Sequence, residues 1–159
     1  MTSLTETIAM MHSVNLVHGD LSLSNVLALQ GDLSHLRDEV YLIDLDDAFL
    51  DDGEAVLPAV WRKSKGAYDP YSVACGQVSK ETDVFVLGLW IVAFMQSRFH
   101  SPDIMATRRA GDVAGRLKSL NSMLPGLVDA ALGPLGSRPS AVDLYKAVRS
   151  GAGKIGALG

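Results

Sequence analysis

The run VFVLGLWIVAFM, Val84 to Met95, carries no charge on any residue. Wound into a helix it is apolar on every face, and such a helix is stable only when other elements cover it all round. At 1.5 Å per residue it is too short to cross the ~30 Å hydrocarbon layer of a bilayer. It must therefore be the central rod of a globule, with the rest of the chain wrapped about it. The chain has 159 residues, of which 48% are apolar and 20% charged, which is enough for one domain with a real core.

The wrapping elements are legible in outline. Ser3-Leu-Thr-Glu6 has the spelling of a capping box, which predicts a helix to about His12. Val14, Leu16 and Val17 then read as buried. Two short strands follow, Asn25-VLAL and Glu39-VYLI-Asp44. The polar stretch QGDLSHLRD between them makes the pair a hairpin with a long loop. Ala48 to Lys80 shows no sustained periodicity and reads as a long loop, of the kind that is functional or mobile in a compact domain. Ser101-Pro102-Asp103 starts a helix, and helical pieces continue through Ala106–Leu124 and Gly126–Leu132. Ser140 caps a last helix, and Gly151 to Gly159 reads as a flexible Gly-rich tail. The expected fold class is mainly α with a small β-hairpin, α+β overall. One domain spans residues 1–150 and the tail spans 151–159.

Charge and cysteine content remove several functions. Net charge is -4 and the pI about 5.4. Lys and Arg are scattered, Arg108 and Arg109 forming a pair rather than a patch, so no nucleic-acid partner is expected. Cys75 is the single cysteine, which excludes an intramolecular disulfide and points to a reducing, cytoplasmic location. The N-terminus has no basic n-region, so neither a secretory signal nor membrane association is expected. The four histidines lack metal-site spacing with cysteine or carboxylate, which argues against structural zinc.

The chemistry concentrates in HGDLSLSN, His18 to Asn25. By themselves these residues suit an Asx-type turn leading into a strand. They also suit phosphoryl transfer, which needs a carboxylate to accept the attacking hydroxyl's proton and an oxygen ligand for the Mg²⁺ on the phosphates. His18-Gly-Asp20-Leu-x-x-x-Asn25 resembles the kinase catalytic loop H-R-D-L-x-x-x-N. Asp44 follows an apolar strand in VYLIDLDDAF, where the kinase D-F-G aspartate lies; here the triplet reads Asp44-Leu45-Asp46. Without that resemblance it is an acidic hairpin exit. Asp83-Val-Phe85-Val-Leu-Gly88 resembles the S-D-V-W-S-L-G that opens the kinase central helix, and alone it is a core helix with an acidic first turn. Ser137-Arg138-Pro139-Ser140 is similar to the R-P-S before the last kinase helices. His12 stands in the LHS-like position ahead of the loop. These segments occur in family order over nearly the whole chain, which resembles the C-terminal lobe of the protein kinase-like superfamily, Ser/Thr type.

The resemblance implies an ATP- and Mg²⁺-dependent phosphotransferase that moves the γ-phosphate to a hydroxyl, on Ser/Thr of a protein or on a small molecule. Asp20 would be the catalytic base. Asn25 and Asp44 would hold the metal and nucleotide, and His18, Asp83 and Arg138 would be structural supports. Only 17 residues precede His18, so the expected partners include an N-terminal lobe, in cis or in trans, carrying the phosphate loop and its lysine. Without that lobe, apolar surface is expected near Met10, Met11 and Asn15. Gly19 replaces the loop arginine, and Ser22 stands where Ser/Thr kinases have lysine. The A-P-E triplet is missing: Ala67-Tyr-Asp69-Pro70 lies near its place, with Asp69 as the candidate partner for Arg138. The tail Gly151-Ala-Gly153-Lys-Ile-Gly156 spells G-x-G-x-x-G but follows a helix, so it is read as a tail. The alternatives are a C-lobe-only pseudokinase acting as a binding scaffold, and a piece of an aminoglycoside- or choline-type kinase, which shares the HGD spelling.

Overall fold

The computed structural model describes residues 1–29, 39–51, 69–95 and 114–155. The protein is mostly helical, with two small sheets. In chain order the elements are α1 (Thr2–Ser13), β1 (Leu16–Val17), a 3-10 turn (Leu23–Asn25), β2 (Val26–Leu29), β3 (Glu39–Leu42), β4 (Phe49–Leu50), α2 (Pro70–Cys75), α3 (Lys80–Met95), α4 (Ala114–Leu120), α5 (Leu124–Ala131) and α6 (Ala141–Ile155).

α3 is the apolar run, and every residue from Thr82 to Ala93 is buried. α1 and α5 pack on it, α6 packs on α1, and α4 fits between α5 and α6. The core joins Ile8, Leu87, Ile91, Leu117, Val128 and Leu144 from α1, α3, α4, α5 and α6. Close approach of α5 to α3 occurs at Gly88, where an added Cβ would lie 3.1 Å from the Ala131 Cβ. A side chain there would force the two helices apart.

β2 and β3 pair antiparallel as a hairpin, with Leu27 opposite Tyr41 and Val26 opposite Leu42. A second two-stranded sheet joins β1 to β4, with Val17 opposite Phe49. That pairing is long-range in sequence, and two-residue strands carry no periodicity from which to read it.

Several expectations need correction. Ser3 is not a helix cap: α1 already begins at Thr2, with Met1 as its N-cap and no side-chain cap. Thr5 and Thr7 instead return their hydroxyls to backbone carbonyls of the preceding turn. Val14 is exposed rather than buried, because it is the C-cap of α1, while Val17 is fully buried. Phe94, near the end of the apolar run, is exposed. The stretch read as one loop from Ala48 contains β4 and α2. α2 starts on Asp69, which accepts the Tyr71 N–H, with Pro70 in the first turn. The residues from Gly151 are not a tail up to Ile155, because α6 continues through them. Gly151 is buried there against Leu120, whose Cβ is 2.9 Å from where a Gly151 Cβ would stand. Packing thus holds a sequence with poor helix propensity in helical form. The hairpin loop, the start proposed at Ser101, the Arg108–Arg109 pair, most of the loop before Asp69 and Gly156 lie outside the described residues.

Candidate active site

The loop His18–Asn25 joins β1 to β2. It turns at Gly19, whose φ of 79° is the left-handed conformation that glycine adopts without a Cβ clash. Gly19 is also covered: a Cβ would meet the Asp47 carbonyl oxygen at 3.1 Å and the Phe49 ring at 3.4 Å. The link from β3 to β4 therefore lies directly on the turn.

Asp83, in the first turn of α3, holds the loop from beneath. It is 1% exposed. Its Oδ2 accepts the His18 N–H at 2.9 Å and its Oδ1 the Gly19 N–H at 3.1 Å. His12 of α1 adds a third contact, with Nε2 3.0 Å from Asp83 Oδ2. A carboxylate is costly to bury unless it is hydrogen-bonded, and these three groups bond both of its oxygens.

The far end of the loop is tied to its start. Asn25 is buried, and its Nδ2 donates to the Asp20 carbonyl oxygen at 2.9 Å and to Asp20 Oδ2 at 3.3 Å. That fixes the amide's orientation and leaves Oδ1 with one weak contact, the Ser24 hydroxyl at 3.5 Å. Ser22 pairs its hydroxyl with that of Ser24 at 2.7 Å. His18 is fully buried. Its Nδ1 accepts the Asp20 N–H at 3.4 Å, and among the described residues its Nε2 has no partner.

The hairpin brings Asp44 to the same place. The Ile43 N–H donates to the Asn25 carbonyl oxygen at 2.9 Å, so Asp44 follows a residue bonded to the end of the loop. Asp44 is exposed and has φ 60°, a conformation that costs a non-glycine residue ~1–3 kcal/mol. Burial raises the Asp20 carboxyl above its ordinary pKa, and the charges of Asp47 and, less, Asp44 raise it further, against the lowering effect of the Asn25 hydrogen bond. The structure thus brings Asp20, Asn25, Asp44 and Asp47 into one neighbourhood.

Arg138 lies apart from that group. Its Nη1 and Nη2 pair with Asp69 at 2.6 and 2.9 Å, both side chains fully buried. It also donates to the carbonyls of Gly133 and Glu81, and it stacks over Phe85 and Tyr71. Asp69 therefore does two things, capping α2 and binding α2 to the helical core.

Sequence reasoning placed His12 without its partner and did not single out Asp47. His12 finds Asp83 because α1 crosses α3, and Asp47 reaches Asp20 because β4 pairs with β1; no local pattern encodes either. No protein-family model and no curated protein matches this chain.

Proposed function

We propose that this chain is the catalytic-loop lobe of an ATP- and Mg²⁺-dependent phosphotransferase of the protein-kinase type, with a Ser/Thr hydroxyl of a protein as acceptor. Asp83 carries the reading. A surface turn satisfies itself with its own residues, whereas here a buried carboxylate 64 and 65 residues away holds two successive N–H groups of the loop. A loop clamped in that way presents its side chains in fixed positions, which phosphoryl transfer needs because positioning and electrostatics do most of the catalysis.

Asp20 accepts the proton of the acceptor hydroxyl while that oxygen bonds to the γ-phosphorus and the bond to the departing ADP breaks. Its raised pKa suits a proton acceptor working near neutrality. Among the described residues no three His, Cys, Asp or Glu side chains form a metal-holding group. The Asn25 amide oxygen and the Asp44 carboxylate fit Mg²⁺ all the same, because that ion takes one or two protein oxygens and fills its shell with water and phosphate. Bound there, it would neutralise charge on the phosphates. A protein acceptor is favoured by the Asp69–Arg138 pair, in which aspartate stands in for the glutamate that protein kinases pair with this arginine.

Two measurements test the reading. Mn²⁺ with a non-hydrolysable ATP analogue is expected to broaden the Asn25 and Asp44 amide resonances saturably, and Asp44→Asn to weaken that effect about tenfold. With an N-terminal lobe supplied in cis or in trans, Asp20→Asn is expected to lower phosphotransfer by ~10²–10⁴-fold. Phosphotransfer at the parent rate by Asp20→Asn would overturn the assignment of the base. Binding that survives without transfer would favour the scaffold, which draws on the exposed cross-strand pair Leu27 and Tyr41 beside the site.

A further inference from the structure

A cleft of about 330 Å³ opens where the end of α1 meets the starts of α3 and α6. None of the described residues that line it belongs to the loop His18–Asn25. Val84, Pro139, Ala141 and Val142 give it apolar walls, and Lys80 and Glu81, the first two residues of α3, both face it. Its size is that of a small-molecule site.

Several polar groups in the walls are already committed. Arg138 is paired with Asp69. The Ser140 hydroxyl bonds Asp143 Oδ2 at 2.6 Å and closes the cap of α6. His12 faces the Asp83 carboxylate through Nε2, so its neutral ring donates there and offers a lone pair at the other nitrogen, an acceptor for an N–H group. Lys80 and Glu81 differ from these. Among the described residues neither has an ion-pair partner. The Lys80 ammonium donates to the amide oxygen of Asn15 at 2.6 Å. Both Glu81 oxygens accept the Gly136 N–H, at 3.0 and 2.8 Å. Each of the two charges thus rests on one neutral group.

The charges are also held apart. Successive side chains leave a helix about 100° from one another. Here one reaches back to the residue after α1, and the other crosses to the segment before α6. The cleft therefore has a positive pole, a negative pole and an apolar middle. A ligand with one charge answers one pole and leaves the other on its neutral partner. A ligand with an ammonium at one end, a carboxylate at the other and an apolar body between them answers both, and the His12 lone pair accepts a further N–H. We infer that this cleft binds a small apolar zwitterion whose two charges lie at opposite ends. The inference goes beyond the proposed reaction and does not rest on it.

4-(Aminomethyl)benzoate is the probe, with an aromatic ring between its charges. 4-Methylbenzoate lacks the ammonium and 4-methylbenzylamine lacks the carboxylate, and both keep the shape. Titrated into the ¹⁵N-labelled full chain, the probe is expected to shift the Lys80, Glu81, Val84 and Ala141 amides saturably at ~millimolar concentration, the range for a ligand of roughly ten heavy atoms. Each single-charge analogue is expected to bind about fivefold more weakly. Glu81→Gln keeps an oxygen for the Gly136 N–H and removes the negative pole, so the probe and 4-methylbenzoate should bind it alike. Lys80→Ala removes the positive pole, so the probe and 4-methylbenzylamine should bind it alike. Absence of a saturable shift would overturn the site. Either analogue binding the parent protein as tightly as the probe would overturn the two-charge ligand, a comparison that needs no variant. A preference that survives its matching substitution would overturn the assignment of that pole. L-Phenylalanine, whose charges sit on one carbon, is expected to bind more weakly than the probe, and equal binding would overturn the placing of the charges at opposite ends.

Discussion

At Asp20, burial and neighbouring negative charge act together against ionisation. Its carboxyl titrates above the ordinary aspartate value of 3.8 in the folded protein. The folded state therefore holds that proton more tightly than the unfolded chain does. Stability contributed by the protonated carboxyl is lost as pH rises through the interval above 3.8, and it stays lost at neutrality. Asp20→Asn, which keeps an oxygen for the Asn25 amide, is accordingly expected to melt at a higher temperature than the parent at pH 7. The gap should narrow as the pH falls toward 4, and Mg²⁺ should narrow it at pH 7; thermal melts over pH and magnesium check both. Gly19 is constrained differently, by a left-handed φ and by the Asp47 carbonyl 3.1 Å from a would-be Cβ. Gly19→Ala is expected to cost about 2 kcal/mol or more in denaturant unfolding. The glycine was legible in the HGD spelling, but the reason for it was not, because the carbonyl that covers it belongs to the β3–β4 link.

Among the elements, α2 shows best how a short helix is held. Six residues are too few to be helical alone. Asp69 caps the first turn and is at the same time locked to Arg138, while Ser72 of α2 shares its hydroxyl between Asp69 and Thr82 of α3. Removing one member of a buried pair leaves the other charged and dry, so Asp69→Leu and Arg138→Met are each expected to cost ~3–5 kcal/mol. The double variant should recover a large part of that loss, which a double-mutant cycle in urea measures. The Arg-Pro-Ser spelling made Arg138 visible and the Asp-Pro spelling marked Asp69. The helix between Asp69 and Gly76 escaped notice because its six residues show less than two full turns of pattern. The opposite error occurred in α6, where a glycine-rich stretch suggested a tail and the helix instead runs on to Ile155, with Gly151 packed against Leu120.

The whole molecule is organised by α3, which is buried from Thr82 to Ala93 and touched by α1 and α5. Amide hydrogen exchange is expected to be slowest from Leu87 to Val92, approaching the global unfolding rate. The His18 and Gly19 amides should also exchange slowly although they lie in a loop, and should lose that protection in Asp83→Asn. The sequence alone settled what local pattern can settle: a rod apolar on every face must be central, and two short strands across a polar gap pair as a hairpin. The tertiary structure alone decided which distant groups meet. His12 with Asp83, Asp47 over Gly19 and β1 with β4 are contacts between segments far apart in the chain. Their geometry follows from how helices and strands cross once the core has closed, and nothing in the neighbouring residues of either partner encodes it.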